Sequence, residues 1–260
     1  MIHNSSIIHS DALIGQNVKI GPFCLVGSNV SLGDNTELKS HVTIAGNTTI
    51  GDNTTIYPFA SIGHAPQDLK YKGEQSEVII GQNNIIREYV TIQPGTIGGG
   101  MVTTVGNNGL FMVGAHIAHD CKVGNNVILA NYVSLGGHVQ VHDYAIIGGL
   151  SAVLQYVRIG QHAMIGGMSA IDKDIIPFGL AKNERATLEG LNLIGMKRRG
   201  FDQQETLDSI KAIEELFADH DIFADRVSQI LQTYKGNAIV AQIMHFIQED
   251  NTRAFCQPKK

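Results

Sequence analysis

Proline is scarce, with 6 residues in a chain of 260. That excludes a collagen or a proline-rich disordered chain. Cysteine is scarce as well. Cys24, Cys121 and Cys256 are odd in number and far apart, so no disulfide framework is expected and a reducing cytoplasm is. Charged residues make up only 17% of the chain. The net charge of −5 and a pI near 6.1 leave no broad basic surface for nucleic acid. No apolar run approaches the roughly 18 residues of a transmembrane helix. The first twenty residues, with His3, Asp11 and Lys19, lack the basic-then-apolar pattern of a secretory signal. Against these shortages stand 43% hydrophobic residues, enough for a real core, and 29 glycines. That glycine content exceeds the roughly 7% of ordinary proteins. The length suits one elongated domain with a small appendage.

The glycines belong to a repeat. Every sixth residue from Ile2 to Ile62 is Ile, Leu or Val, eleven in a row, although these three types make up only 67 of the 260 residues. Glycine often follows, as at Gly15, Gly21, Gly27, Gly33, Gly51 and Gly63. Small or β-branched residues sit two before, such as Val18, Cys24, Val30, Thr36 and Ala60. The pattern resumes at Ile80, Ile86 and Ile92, then runs one residue out of phase from Val105 to Ile171 through twelve apolar positions. A helix repeats near 3.6 and a strand at two, so neither explains six. Six residues suit a short strand and a tight corner, and three such sides close a triangular coil of 18 residues. Coils stack through parallel hydrogen bonds about 4.8 Å apart. The expectation is a parallel β-helix of about nine coils, with aliphatics inward and glycine serving unusual backbone angles at the corners.

Two inserts break the array, near 64–77 and near 94–104. Inserts in a repeat array map to protruding loops, often functional ones, although harmless decoration is the competing reading. The expected β-helical domain runs from 1 to 184 and a helical domain from 185 to 260. Leu188, Leu191 and Ile194, followed by Lys197-Arg198-Arg199-Gly200, suggest a helix with a basic last turn. Asp202 with Glu205 suggests the start of a second. Apolar faces around Ile210 and Ile213, Val227 and Ile230, and Ile243 and Ile247 mark that helix and two more.

The segment Gly114-Ala-His-Ile-Ala-His-Asp-Cys-Lys-Val-Gly124 carries the chemistry. Adding 18 to His119 gives Gly137, and adding it again gives Gln155; Asp120 falls beneath His138. A His with an acidic neighbour and a glycine amide in one column suits a general base with an oxyanion donor. An unperturbed imidazole titrates near pH 6.5, which fits base catalysis near neutrality. Two other readings compete. Outward histidines on such a prism are ordinary surface residues, or His116, His119, His138 and His142 bind zinc as in hexapeptide carbonic anhydrases. Cys24 and Cys121 occupy small corner positions, which makes them poor nucleophiles.

The repeat resembles the hexapeptide-repeat acyltransferases, whose coil is left-handed, so the expected fold is mainly β, a left-handed parallel β-helix with a C-terminal α-helical domain. Within that superfamily, Gln67-Asp68-Leu69-Lys70-Tyr71, His116-Ile117-Ala118-His119-Asp120-Cys121, Gly136-Gly137-His138-Val139, Ile146-Ile147-Gly148-Gly149 and Lys197-Arg198-Arg199-Gly200-Phe201 resemble the UDP-N-acetylglucosamine O-acyltransferases. The resemblance implies transfer of an acyl chain from acyl carrier protein to the sugar 3-hydroxyl, the first step of lipid A synthesis. It implies that His119 is the base, Asp120 holds its imidazole, and the amide of Gly137 is the oxyanion donor. Asp68 and His116 match sugar-holding residues, Gln67 and Lys70 match loop residues beside them, and His138 matches a cleft imidazole. Gln155, Asn192 and Arg199 match nucleotide-side contacts, with Arg198 adjacent. Gly167 matches a position that sets acyl length, and glycine there implies a longer chain.

The resemblance further implies a homotrimer with sites between prisms, a cytoplasmic location in a Gram-negative bacterium, and neither metal nor cofactor, the donor being carried on the phosphopantetheine of acyl carrier protein. Leu154 and Ile194 depart from the family pattern, which often has a histidine and a glutamate there. Lys197, Arg198, Arg199 and Arg158 are candidate contacts for an acidic acyl carrier protein or the nucleotide, against the competing reading of a solvated basic surface. The remaining readings are a 3-amino UDP-sugar acceptor, a sibling N-acyltransferase, an acetyl-CoA-dependent relative, a zinc protein and a non-catalytic scaffold. The sibling has a domain before its prism, whereas this repeat starts at Ile2.

Overall fold

The computed structural model describes residues 1–218, 222–250 and 252–259. The 18-residue arithmetic is realised as a left-handed parallel β-helix with three flat faces. The first face runs from Ile7–Ile8 to Ala170–Ile171, the second from Leu13–Ile14 to Arg158–Ile159, and the third from Lys19–Ile20 to Gly179–Lys182. Most strands are two residues long, so each contributes one inward aliphatic and one outward side chain. Ile117 pairs with Leu135 and Leu135 with Val153, and all three are buried. Both inserts are looped out without disturbing the stack, since Ser61 pairs with Thr91 and Thr91 with His116.

The corners correct one expectation. Glycine was to serve the unusual angles, yet most left-handed corner residues are not glycine: Asn17, Asn35, Asn53, Phe59, Tyr132 and His138 all have φ between 56° and 66°. The repeat glycines mostly relieve crowding instead. A Cβ on Gly21 would lie 1.7 Å from the carbonyl oxygen of Lys39 in the next coil.

Each edge has its own chemistry. The edge between the second and third faces is an amide ladder. The backbone N–H of Gln16 donates to Asp34 Oδ1 at 2.7 Å, that of Asp34 to Asp52 Oδ1 at 2.8 Å, and that of Asn125 to Asp143 Oδ1 at 2.7 Å. The edge between the third and first faces is a stack of rings. Phe23, His41, Phe59 and Tyr89 follow one another at about 5 Å, and Tyr132, Leu150 and Met168 continue the line, all exposed. The remaining edge carries both inserts and the histidine cluster.

The tail begins differently from expectation. Leu188 and Leu191 lie on a strand, Thr187–Leu191, antiparallel to Gly179–Lys182, and this hairpin closes the third face. Helix α1 is therefore short, Leu193–Arg198, and stops at Gly200, where φ is 75°. The expected boundary between 184 and 185 falls in the turn of that hairpin. Helices α2 (Gln203–Leu216), α3 (Phe223–Thr233) and α4 (Ala238–Glu249) follow where the apolar faces indicate. Asp202 caps α2 by accepting from the Glu205 N–H at 2.9 Å.

Arg158 is a second correction. It is 4% exposed and does not offer its charge to a partner. Its Nε donates to Asp174 Oδ2 at 2.7 Å, and its other nitrogens donate to the carbonyls of Phe246 and Asp250 at the end of α4. Its strand position faces outward, but α4 covers it, with the guanidinium 4.2 Å from the Phe246 ring centroid. The cation thus satisfies the unpaired C-terminal carbonyls of a helix and binds it to the prism. Arg158→Ala leaves Asp174 buried without its cation, and we expect a loss of about 3–5 kcal/mol in denaturant unfolding. A midpoint equal to the parent's would refute the clamp.

Candidate active site

The candidate site grows from two consecutive turns at the insert-bearing edge. His116 opens the two-residue strand His116–Ile117 of the first face, and Ala118 to Cys121 make the corner. Asp120 takes the left-handed position of that corner, with φ 60°. This conformation turns its carboxylate back toward its own neighbour, and His119 Nδ1 lies 2.8 Å from Asp120 Oδ2. The pair is secluded: His119 is 8% exposed and Asp120 is 3% exposed.

One coil further, Gly137 lies against the imidazole. A Cβ there would come within 2.4 Å of His119 Cε1, so only glycine leaves the ring its place. Gly137 occupies the same turn position as Gln16, Asp34 and Asn125 on the ladder edge. Their N–H groups are taken by Asp side chains one coil on; the N–H of Gly137 has no protein acceptor among the described residues. The residue one coil on is Gln155, which is exposed and makes no hydrogen bond to that amide. A free amide thus sits beside a base candidate.

Other imidazoles surround the pair. His138 Nε2 is 3.8 Å from Asp120 Oδ2, and its ring stacks on Tyr156 at 4.3 Å. His116 Nδ1 meets Thr91 Oγ1 at 2.7 Å. Burial disfavours the charged form of both, holding their pKa values below the ordinary imidazole value. Asp68 and Lys70 of the first insert act electrostatically on His138, with opposite signs. The start of that insert is tied down by Gln93, whose Oε1 accepts from the Gln67 N–H at 3.2 Å. Burial pushes the Cys121 thiol up to about 12, which removes it as a nucleophile.

Ligand-capable atoms of His119, Asp120 and His138 lie within 4.8 Å of one another. The donor set does not suit a cation. Asp120 Oδ1 accepts from the Thr96 N–H at 2.8 Å, and Oδ2 accepts from the Thr96 hydroxyl at 2.6 Å as well as facing His119. These bonds make an imidazole–carboxylate pair rather than open ligands. His142 is elsewhere, edge-on to Phe246 at 5.4 Å.

The structure gathers His116, His119, Asp120, Gly137 and His138 at one edge, with Asp68 and Lys70 in electrostatic range. Gln67, in the first insert, and Gln155, one coil on from Gly137, lie at that edge as well; the other candidates do not. Asn192 caps α1, accepting from the Gly195 N–H and donating to the carbonyl of His162. Arg199 lies over Tyr144, 5.3 Å from its ring centroid, and Arg198 is exposed beside it. All three belong to the ladder edge. Gly167 lies on the ring-stack edge, exposed, against the carbonyl of Gly149. Thr96 and Gln93 escaped the sequence reading because the inserts break the 18-residue count that located the others.

A coil of hexapeptides is the architecture of the hexapeptide-repeat transferases. The bacterial transferase hexapeptide family matches residues 11–46 and 29–64, and the family described as UDP-N-acetylglucosamine O-acyltransferase, domain 2, matches residues 174–256. An acyl-[acyl-carrier-protein]–UDP-N-acetylglucosamine O-acyltransferase of Rickettsia felis is 62% identical over 205 residues, 79% of this chain and 78% of that protein. One from Rickettsia canadensis is 60% identical over the same shares. The solved UDP-N-acetylglucosamine acyltransferase of Francisella novicida superposes with a TM-score of 0.95 at 39% identity, over 100% of this chain and 95% of that one. The enzyme of that name from Campylobacter jejuni gives 0.93 at 37% identity, over all of both chains. The chain belongs to the UDP-N-acetylglucosamine O-acyltransferase family.

Gly137→Ala places a methyl group where the imidazole lies. We expect its crystal structure to show His119 displaced and the 2.8 Å bond to Asp120 lost. An unmoved ring would refute the packing argument.

Proposed function

We propose that the chain transfers an (R)-3-hydroxyacyl group from acyl carrier protein to the 3-hydroxyl of UDP-N-acetylglucosamine, the first step of lipid A synthesis. The observation that carries this reading is the His119–Asp120 pair beside the unclaimed amide of Gly137. A thioester is already activated, so the missing item is a deprotonated alcohol. His119 removes the hydroxyl proton through Nε2, while Asp120 holds Nδ1–H and stabilises the imidazolium that forms. The oxygen attacks the thioester carbonyl directly. The tetrahedral oxyanion receives the Gly137 N–H, and collapse expels the phosphopantetheine thiolate, which takes the proton from His119. No acyl-enzyme, metal or cofactor enters.

Asp68, His116, Gln67 and Lys70 hold the sugar side, with His138 lining the cleft. Gln155, Asn192, Arg198 and Arg199 serve the nucleotide. Gly167 leaves room for a long acyl chain, and a bulky residue there selects a shorter one. Apart from Gln155, which shares the edge of the histidine pair, the three groups sit on three different edges of one prism. A homotrimer resolves this, because a neighbour's edge can complete the site. The exposed line from Phe23 to Met168 supplies apolar surface for such packing, as large exposed apolar patches commonly do. The three buried thiols suit a reducing cytoplasm, that of a Gram-negative bacterium. Among the described residues, no helix is long and apolar enough to cross a membrane.

His119→Ala is expected to lower acyl transfer from acyl carrier protein to UDP-N-acetylglucosamine by on the order of 10²–10⁴-fold. Near-normal turnover would sink the assignment. Sedimentation equilibrium is expected to give three times the 28.1 kDa chain mass; a stable monomer would overturn the shared site.

A further inference from the structure

The second insert has no role in the reaction described so far, yet it is built around Asp120. It enters through Gly95 and Thr96, forms a 3₁₀ turn at Ile97–Gly99 and leaves through Gly100 and Met101. Thr96 stands at the N-cap of that turn. A threonine there ordinarily turns its hydroxyl onto the turn's own N–H groups. This one makes no side-chain cap bond. Both its donors go to the carboxylate instead: the N–H to Asp120 Oδ1 at 2.8 Å and the hydroxyl to Oδ2 at 2.6 Å. Thr96 is 6% exposed, so water does not compete. Glycines close the fit. A Cβ on Gly99 would lie 2.0 Å from Asp120 Cγ, and one on Gly95 would lie 2.8 Å from Oδ1. From the other side the Asp120 N–H donates to Thr103 Oγ1 at 2.8 Å.

The fork decides which imidazole Asp120 serves. A carboxylate oxygen has two lone pairs. On Oδ2 one takes the Thr96 hydroxyl and the other faces His119 Nδ1 at 2.8 Å. His138 Nε2 is left at 3.8 Å, beyond hydrogen-bonding distance. The structure assigns Thr96 as a positioning residue that points Asp120 at His119 and away from His138. This rests on the reading of His119 as the base. The two-donor fork also draws charge from the carboxylate, because bonds to an ionised acceptor are the strong ones. Without the hydroxyl, more negative charge remains on Oδ2 beside the imidazolium, and the base stays protonated to higher pH. The charged and titratable groups facing the pair are His116 and His138, Asp68 and Lys70 of the first insert, and Cys121 behind the corner.

The test is acyl transfer by the full-length protein with Thr96→Val, Thr96→Ala and Thr96→Ser, with His119→Ala in the same assay. Valine keeps the shape and the backbone donor and removes only the hydroxyl. The expected result for valine is a kcat about tenfold lower, KM for both substrates within about twofold, and activity lost at a higher pH on the acid side. Alanine gives the same pattern if valine does not fold, and serine restores kcat to within about twofold. A merely structural role would lower the melting temperature and leave the pH profile of the folded protein unmoved. If His119→Ala is inactive while the hydroxyl-free variant keeps kcat within about twofold, or its acid limb does not rise, the assignment of Thr96 is overturned. If His119→Ala turns over normally, the base reading fails first and takes the assignment with it.

Discussion

The structure depends on one repeated contact, the parallel main-chain ladder that joins each residue to the residue one coil on. It fixes the repeat at 18 residues wherever no insert intervenes, and everything else inherits that number. Inward aliphatics stack on inward aliphatics, so the core is a single column. Outward residues stack as well, and every edge becomes a line of side chains of related character. A solenoid of this kind holds its stability in nearest-neighbour contacts. Its outer surface is therefore free to differ from edge to edge: amide ladder, ring stack and reactive corner stand on one unchanging interior.

The reactive corner shows how little the scaffold must alter to hold chemistry. The left-handed residue of that turn is an aspartate, the residue before it a histidine, and the residue one coil on from the histidine a glycine. These are ordinary substitutions in the repeat. Only the inserts are additions, and they perform what a two-residue strand lacks the length to do. One brings Asp68 and Lys70 into electrostatic range of His138; the other folds against Asp120. The regular part of the chain sets positions, and the irregular part sets orientation and charge.

Much of this was legible in the sequence because register is arithmetic. His119 one coil from Gly137 and Asp120 one coil from His138 follow from adding 18, and the core follows from counting by six. What failed did so where another neighbour intervened. Glycine was read as a device for φ, whereas at Gly21 the carbonyl of Lys39 leaves no volume for a side chain. Leu188 and Leu191 are spaced as helical neighbours, yet they complete the third face because Gly179–Lys182 offers an open strand edge. Arg158 occupies an outward position, but α4 covers it. Thr96 lies 24 residues before Asp120, a separation that no repeat encodes.

The amide of Gly137 has a wider meaning. Most turns of this prism carry a comparable N–H at the same point, although Pro22 and Pro58 have none to offer there. Along one edge, aspartates and asparagines stitch those groups shut, coil after coil. At Gly137 the stitch is missing, because a glutamine, Gln155, stands where the aspartate would be and makes no hydrogen bond to it. The capacity to greet a nascent negative charge was not added to this scaffold. It is a property of the bare repeat, masked along the ladder edge and left open at Gly137, where a buried imidazole stands beside it.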